Sequence, residues 1–272
     1  MVHQEFESPE ELQDAIKCFW YNRRDFGELQ SSFEVMPDGY AEIIFYFGSP
    51  CSISINGAFQ ELPSPFIMGL LNQPVLLTTK NQFEIIAIRC FPWTVFDLLG
   101  LPSGNDPVRV FEHPVAGLQS KLNDLIQAKM IDKAIDLVKQ YFLDARSHIA
   151  MDSMLFKAGL AMRESKGVIP VSLVASSAHA SVRTLERKFK QSSGYSVKNV
   201  SGLMRFEQAR NRLWQYPNSN LAGLAFELGY ADQSHLSREF KRYSGSTPTA
   251  FARDARKRKQ TLSNDFVAFI QA

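Results

Sequence analysis

The sequence predicts an α+β protein, β-rich in its first part and all-helical in its last. Three observations carry this. Short runs of Ile, Val, Phe and Thr, each bounded by turn residues, crowd residues 41–91. Beyond residue 116, apolar residues recur mainly at three- and four-residue steps, the period of a helix face. The charge also splits. Residues 1–150 carry 11 Lys+Arg against 19 Asp+Glu, a net −8, and residues 151–272 carry 19 against 9, a net +10. The overall +2 hides this asymmetry, which suggests a polyanion-binding part joined to something else. An acidic and a basic domain that attract each other would give the same split.

The strand runs are AEIIFYF (41–47), CSISIN (51–56), PVLLTT (74–79) and FEIIAIRCF (83–91). PDG, GSP, NG, PSP and NQP separate or precede them, a pattern that suits a small β-sandwich or barrel. An opening helix is expected over 8–19, with Ser8 as N-cap and Pro9 at the first helical position. PWTVFDLLG reads as a short helix after the last strand, and LPSGNDPVRVFEHP as a loop. The first domain is placed at 1–115.

A helical linker is expected over 116–150. Leu118, Leu122, Leu125, Ile126, Ile131, Ile135, Val138 and Phe142 mark one or two amphipathic helices, whose apolar face needs cover from the strand domain or a second subunit. A third domain, 151–258, reads as seven helices. They are MDSMLFKAGLAMRES, a helix starting near Pro170, SVRTLERKFKQSS, VKNVSGLMRFEQARNRLWQY, LAGLAFELG, DQSHLSREFKRYS and TPTAFARDARK. In the tail, 259–272, Phe266, Val267, Phe269 and Ile270 are candidates for docking back on the protein.

Several classes find no support. No apolar run approaches the eighteen or so residues of a membrane span. The acidic N-terminus MVHQEFESPEELQD does not read as a signal peptide. Cys18, Cys51 and Cys90 form no CxxC pair or disulfide framework, and the five His are dispersed, so metal-ligand spacing is absent. Cys90, in IIAIRCF, reads as a buried thiol. No cofactor motif and no Ser-His-Asp or carboxylate-pair motif is apparent, so the reading is non-enzymatic. A reducing cytoplasm fits the cysteine usage.

The informative feature is a duplication. LERKFKQSSG (185–194) and LSREFKRYSG (236–245) share Leu, Arg, Phe, Lys, Ser and Gly in one register, fifty-one residues apart. Upstream, Val171, Val174, Ala175 and Ala178 match Leu221, Leu224, Ala225 and Leu228 at an offset of fifty. Both sets are i, i+3, i+4, i+7, one helical face. The change of offset places one extra residue in the second unit's turn, within GYAD. Each unit is a short helix, a turn and a basic helix, the helix-turn-helix pattern.

In each basic helix Leu185 and Phe189, or Leu236 and Phe240, face inward. The remaining surface offers Ser181, Arg183, Thr184, Glu186, Arg187 and Lys190 in the first unit. In the second it offers Gln233, Ser234, His235, Ser237, Arg238 and Lys241. The N-terminal part of such a helix enters the major groove. Arg can bond guanine bidentately, Ser and Thr suit several base edges, and Lys at the rim meets phosphate. These twelve are the candidate DNA-binding residues.

SVRTLERKFKQSSGYS, RFEQARNRL and LAFELGYADQSHLSREFKRYSGSTPTAF resemble the DNA-binding domain of the AraC/XylS family of bacterial transcription regulators. The resemblance covers residues 151–258. It implies two helix-turn-helix units bridged by the helix 197–215, reading successive major-groove segments about one turn, or about 34 Å, apart. It departs from the family in the first turn, where His179 stands in place of a frequent Gly and Ala178 in place of a bulkier residue. More loosely, MPDGYAEIIFYFGSP, PFIMGL and IRCFPWTVFDLLGLP resemble the small β-rich domain that precedes such units in some members. That implies a cupin-like sensor or dimerisation domain. Phe45, Tyr46, Phe47, Phe66, Phe91 and Trp93 would line a ligand pocket or simply build the core.

Other residues carry two readings each. His179 is a turn residue or a DNA contact. Glu186 accepts from cytosine or forms a surface ion pair. Arg205 touches phosphate or braces the two units. Asp232 caps its helix or reads a base. RKRK (256–259) is a solvated helix end near phosphates. The expected partner is promoter or operator double-stranded DNA. A small-molecule effector, a homodimer and, for an activator, RNA polymerase are further candidates. The competing classes are a repair-type enzyme fused to a DNA-binding module, which needs an activated Cys, and a non-specific architectural DNA binder.

Overall fold

The computed structural model describes residues 2–27, 31–55, 58–101, 103–104, 106–146 and 153–261. The tail expected to dock back, with Phe266 to Ile270, lies outside the described residues. The chain divides into two compact units. One comprises residues 1–34, 40–70 and 75–151, and the other residues 35–39, 71–74 and 152–272.

Among its described residues the first unit holds ten strands: β1 (Val2–Glu7), β2 (Ile16–Asp25), β3 (Ser31–Val35), β4 (Ala41–Gly48), β5 (Ser52–Ile55), β6 (Ala58–Glu61), β7 (Phe66–Met68), β8 (Val75–Thr79), β9 (Gln82–Cys90) and β10 (Val108–Arg109). They form a six-stranded sheet, β1-β2-β9-β4-β7-β10, and a four-stranded sheet, β3-β8-β5-β6. The four strands expected between 41 and 91 are β4, β5, β8 and β9. Phe33 of the smaller sheet meets Phe83 of the larger, their ring centroids 6.2 Å apart.

The expected helix over 8–19 does not form. Pro9 has extended backbone, and only a single 3-10 turn follows, Glu10–Leu12, with Leu12 fully buried. From Ile16 the chain is strand β2, paired with β1 on one side and β9 on the other. A helix would bury one stripe of this segment. A central strand buries both faces of CFWYN, from Cys18 through Asn22.

Period-two alternation decides what each face of the large sheet does. Phe19 pairs with Ile88 and Tyr21 with Ile86 across β2 and β9. Ile43 pairs with Ile88 and Phe45 with Ile86 across β4 and β9. These six share one hydrophobic core with Leu122 and Ile126 of helix α2 (Gln119–Gln127) and Ile135, Val138 and Phe142 of helix α3 (Ile131–Arg146). The short helix after the last strand is α1, Val95–Leu98. Residues 116–146 thus find cover for their apolar face on the strand sheet of their own chain. Phe45, Phe47, Phe66, Phe91 and Trp93 are buried core, and Tyr46 is half-buried.

The second unit contains seven described helices, in the order expected: α4 (Ser153–Glu164), α5 (Val171–Ser177), α6 (Val182–Ser193), α7 (Val197–Gln215), α8 (Leu221–Glu227), α9 (Gln233–Ser244) and α10 (Pro248–Thr261). Helix α7 is the scaffold. Val197, Val200, Leu203, Phe206, Ala209 and Leu213 are fully buried along it. Phe206 meets Phe240 edge-on at 5.0 Å and Tyr243 at 5.3 Å, and Phe240 meets Phe251 of α10 at 5.4 Å. No described helix is long and apolar enough to cross a membrane.

Candidate nucleic-acid interface

The duplication survives folding element by element. Helices α5 and α8 each have seven residues and begin fifty positions apart, and α6 and α9 each have twelve and begin fifty-one apart. The turns match too. His179 (φ 52°) and Gly229 (φ 71°) occupy the left-handed region at equivalent places. His tolerates this conformation better than most side chains, and at an exposed position its ring has room. Its backbone geometry makes His179 a turn residue. The second helices stop alike, at Gly194 (φ 78°) and Gly245 (φ 72°), both left-handed caps.

Each basic helix is seated by two fully buried residues, Leu185 and Phe189 in α6, Leu236 and Phe240 in α9. Burying a Phe side chain is worth about 1.5–3 kcal/mol, so the opposite face is held outward by the packing of this one. That outward face carries Ser181, Arg183, Arg187 and Lys190 in the first unit, and Gln233, Ser234, Arg238 and Lys241 in the second, all exposed. Thr184, Glu186, His235 and Ser237 are half-buried. Each set of six therefore sits on one helix, and each helix presents its cations outward.

The starts of these helices are capped. The Ser181 hydroxyl accepts from the Thr184 backbone N–H and shares a 2.9 Å hydrogen bond with the Thr184 hydroxyl. The Asp232 carboxylate accepts from the His235 N–H at 2.7 Å, the capping arrangement. Glu186 has a job that sequence spacing did not show. Its carboxylate accepts from the Val197 N–H at 3.1 Å, satisfying the first turn of α7 and tying α6 to the scaffold helix. His235 stands edge-on to the buried Tyr230 ring, centroids 5.3 Å apart. Arg205 is half-buried against other protein groups, in the bracing arrangement. In the basic run at the end of α10, Arg256 and Lys257 are exposed, and Arg256 donates to the Asn218 side chain. The side chains of Arg258 and Lys259 lie outside the described residues.

One surface residue was missed. Val182, 43% exposed, opens α6 at the place Gln233 holds in α9. The fifty-one-residue offset that pairs the two helices points to it directly.

A family model described as a helix-turn-helix domain matches residues 174–254. The chain carries a helix-turn-helix domain. Residues 4–105 match a family described only as a domain of unknown function (DUF6597). The chain is also similar to the HTH-type transcriptional activator RhaS of Escherichia fergusonii. The two are 34% identical over 68 residues, which is 25% of this chain and 24% of that one. Among solved structures, ToxT from Vibrio cholerae aligns over 86% of this chain and 97% of its own, at 12% identity and a TM-score of 0.43. The DNA-binding domain of AdpA, solved in complex with a target DNA, aligns over 41% of this chain and all of its own, at 23% identity and a TM-score of 0.37. With both scores below 0.5, these two likenesses carry no argument about function.

Proposed function

We propose that this protein is a sequence-specific DNA-binding transcription regulator. The observation that carries the proposal is the doubled unit: two basic helices of equal length, seated by matching Leu–Phe pairs, each with its cationic face outward. Helices α6 and α9 read successive major-groove segments. Arg183, Arg187 and Arg238 suit guanine, Thr184, Ser234, Ser237, Gln233 and His235 suit the remaining base edges, and Val182 suits a thymine methyl group. Lys190 and Lys241, at the third turn, suit phosphate. Ser181 and Glu186 contribute through the backbone groups they hold, which keep α6 in place. The β-rich unit serves as the sensor or dimerisation part, with a small-molecule effector or a second copy as its partner. RNA polymerase is the further partner of an activator, and a reducing cytoplasm is the setting.

A thiol-dependent repair enzyme is disfavoured by the cysteines. All three are free and buried. Burial pushes the Cys18 and Cys51 thiols up to about 12 and the Cys90 thiol well above its ordinary value. None forms the thiolate nucleophile at neutral pH.

Binding-site selection with the whole chain, followed by titration of the selected and scrambled sequences, tests the proposal. Specific binding is expected to be about 10³–10⁷ tighter than non-specific. Equal affinity for both would identify an architectural binder.

A further inference from the structure

Helix α7 runs between the two helix-turn-helix units, and one of its side chains gathers groups from three separate elements. Arg205 donates to the carbonyl of Gly167, in the turn that precedes the first unit, at 2.9 Å. It pairs with Glu239 of α9 at 3.2 Å. Its guanidinium carbon lies 5.2 Å from the ring centroid of Tyr230, in the turn of the second unit. The fit around this point is close. A Cβ on Gly167 (φ 76°) would meet the Ser201 carbonyl oxygen at 2.4 Å, so the turn lies directly on α7. A Cβ on Gly202 would come within 3.0 Å of the Tyr243 hydroxyl and 3.4 Å of Glu239. Gly202 thus leaves room for the Glu239 carboxylate beside α7.

Tyr230 is 5% exposed and falls in the stretch where the second unit has one more residue than the first. One side of its ring faces the Arg205 guanidinium, and His235 of α9 stands edge-on to it at 5.3 Å and 84°. The position in α6 that corresponds to Glu239 is Lys188, so the first unit cannot form the same ion pair.

Resting on the reading of α9 as a base-reading helix, we propose that Arg205 is a positioning residue for His235: it fixes Tyr230 and Glu239, and through them the side chain and helix that select bases in the second half of the site. A planar guanidinium can stack on Tyr230 while donating to Glu239 and Gly167, and a Lys ammonium cannot do all three. Burial, and next the charge of Glu239, hold the Tyr230 phenol well above its ordinary range, so the ring stays neutral in the physiological range.

The test is base preference by parallel binding selection on the full chain, comparing wild type, His235→Ala, Arg205→Lys and the double variant, with thermal unfolding recorded for each. His235→Ala is expected to flatten preference at one or two base pairs by about 5- to 100-fold. Arg205→Lys is expected to flatten the same base pairs and spare those read by α6, and the double variant to be no flatter than His235→Ala alone. Should Arg205→Lys fail to fold, Glu239→Gln carries the same expectation. The assignment is overturned if Arg205→Lys leaves preference intact, if it lowers affinity uniformly across both segments, or if His235→Ala itself changes no preference. A wild-type chain without any preferred sequence would instead sink the reading of the whole domain, and this assignment with it.

Discussion

In the first helix-turn-helix unit the turn is closed by His179 and the basic helix is tied to the scaffold by Glu186 reaching the start of α7. In the second, Gly229 closes the turn, and the tie runs from Glu239 to Arg205 in the middle of α7. The inward Leu and Phe, the outward pairs Arg187/Arg238 and Lys190/Lys241, and the terminal Gly are the same in both. Duplication has thus kept what seats a helix and what supplies charge. It has varied the N-terminal turn of the basic helix, Val182-Arg183-Thr184 against Gln233-Ser234-His235, and the fastening behind it. The residues proposed to touch bases and those proposed to aim them have changed together.

Four experiments would break or sharpen this comparison. The largest effect is expected in the shared core. Phe189→Ala and Phe240→Ala should each cost about 3–5 kcal/mol in urea unfolding, with Phe240 toward the upper end because it also meets Phe206 and Phe251. Comparable tolerance of both substitutions would mean that these helices are not seated by their Phe residues.

Next come the turns, where matched positions should answer with opposite signs. Gly229→Ala places a side chain in the left-handed region with its Cβ 2.8 Å from Val168 Cγ1, and a loss of about 1–2 kcal/mol is expected. His179→Gly relieves the same backbone cost and should stabilise the protein by a few tenths of a kcal/mol up to about 1 kcal/mol. Both are read from thermal unfolding.

The caps follow. Ser181→Ala and Asp232→Ala should each cost about 1 kcal/mol, again by unfolding. Smallest is the rim charge. Lys190→Ala and Lys241→Ala should each reduce the salt dependence of DNA binding by about one unit of slope, with little change in which sequence is preferred.

The helical half was legible because its signals are local. Ser181, Asp232, Gly194 and Gly245 punctuate the helices within a few residues of where they end, and the internal offset aligns the two units without any outside reference. The β-rich half was legible only where strands alternate or run apolar between turns, as in β4 and β9. Strand β2 was misread because SPEEL reads as a capped helix start, yet only one 3-10 turn follows and no side chain caps it, while Ile16–Asp25 is made a strand by pairing with β1 and with β9, the latter more than fifty residues away. The three-residue β7 and two-residue β10 are too short for any periodicity to show. The site divides the same way. Outward cations follow from helical spacing, whereas the contact of Glu186 with Val197 spans a turn, and the partners of Arg205 are spread over positions 167, 230 and 239.

The most direct measurement is a comparison of Arg187→Ala with Arg238→Ala on the selected operator, with each base pair varied in turn. Each substitution is expected to weaken binding by about 1–3 kcal/mol and to relax preference in its own block of base pairs, the two blocks lying about one helical turn apart. Loss of preference in one common block, or an equal loss of affinity on scrambled DNA for both, would contradict the claim that α6 and α9 read successive grooves.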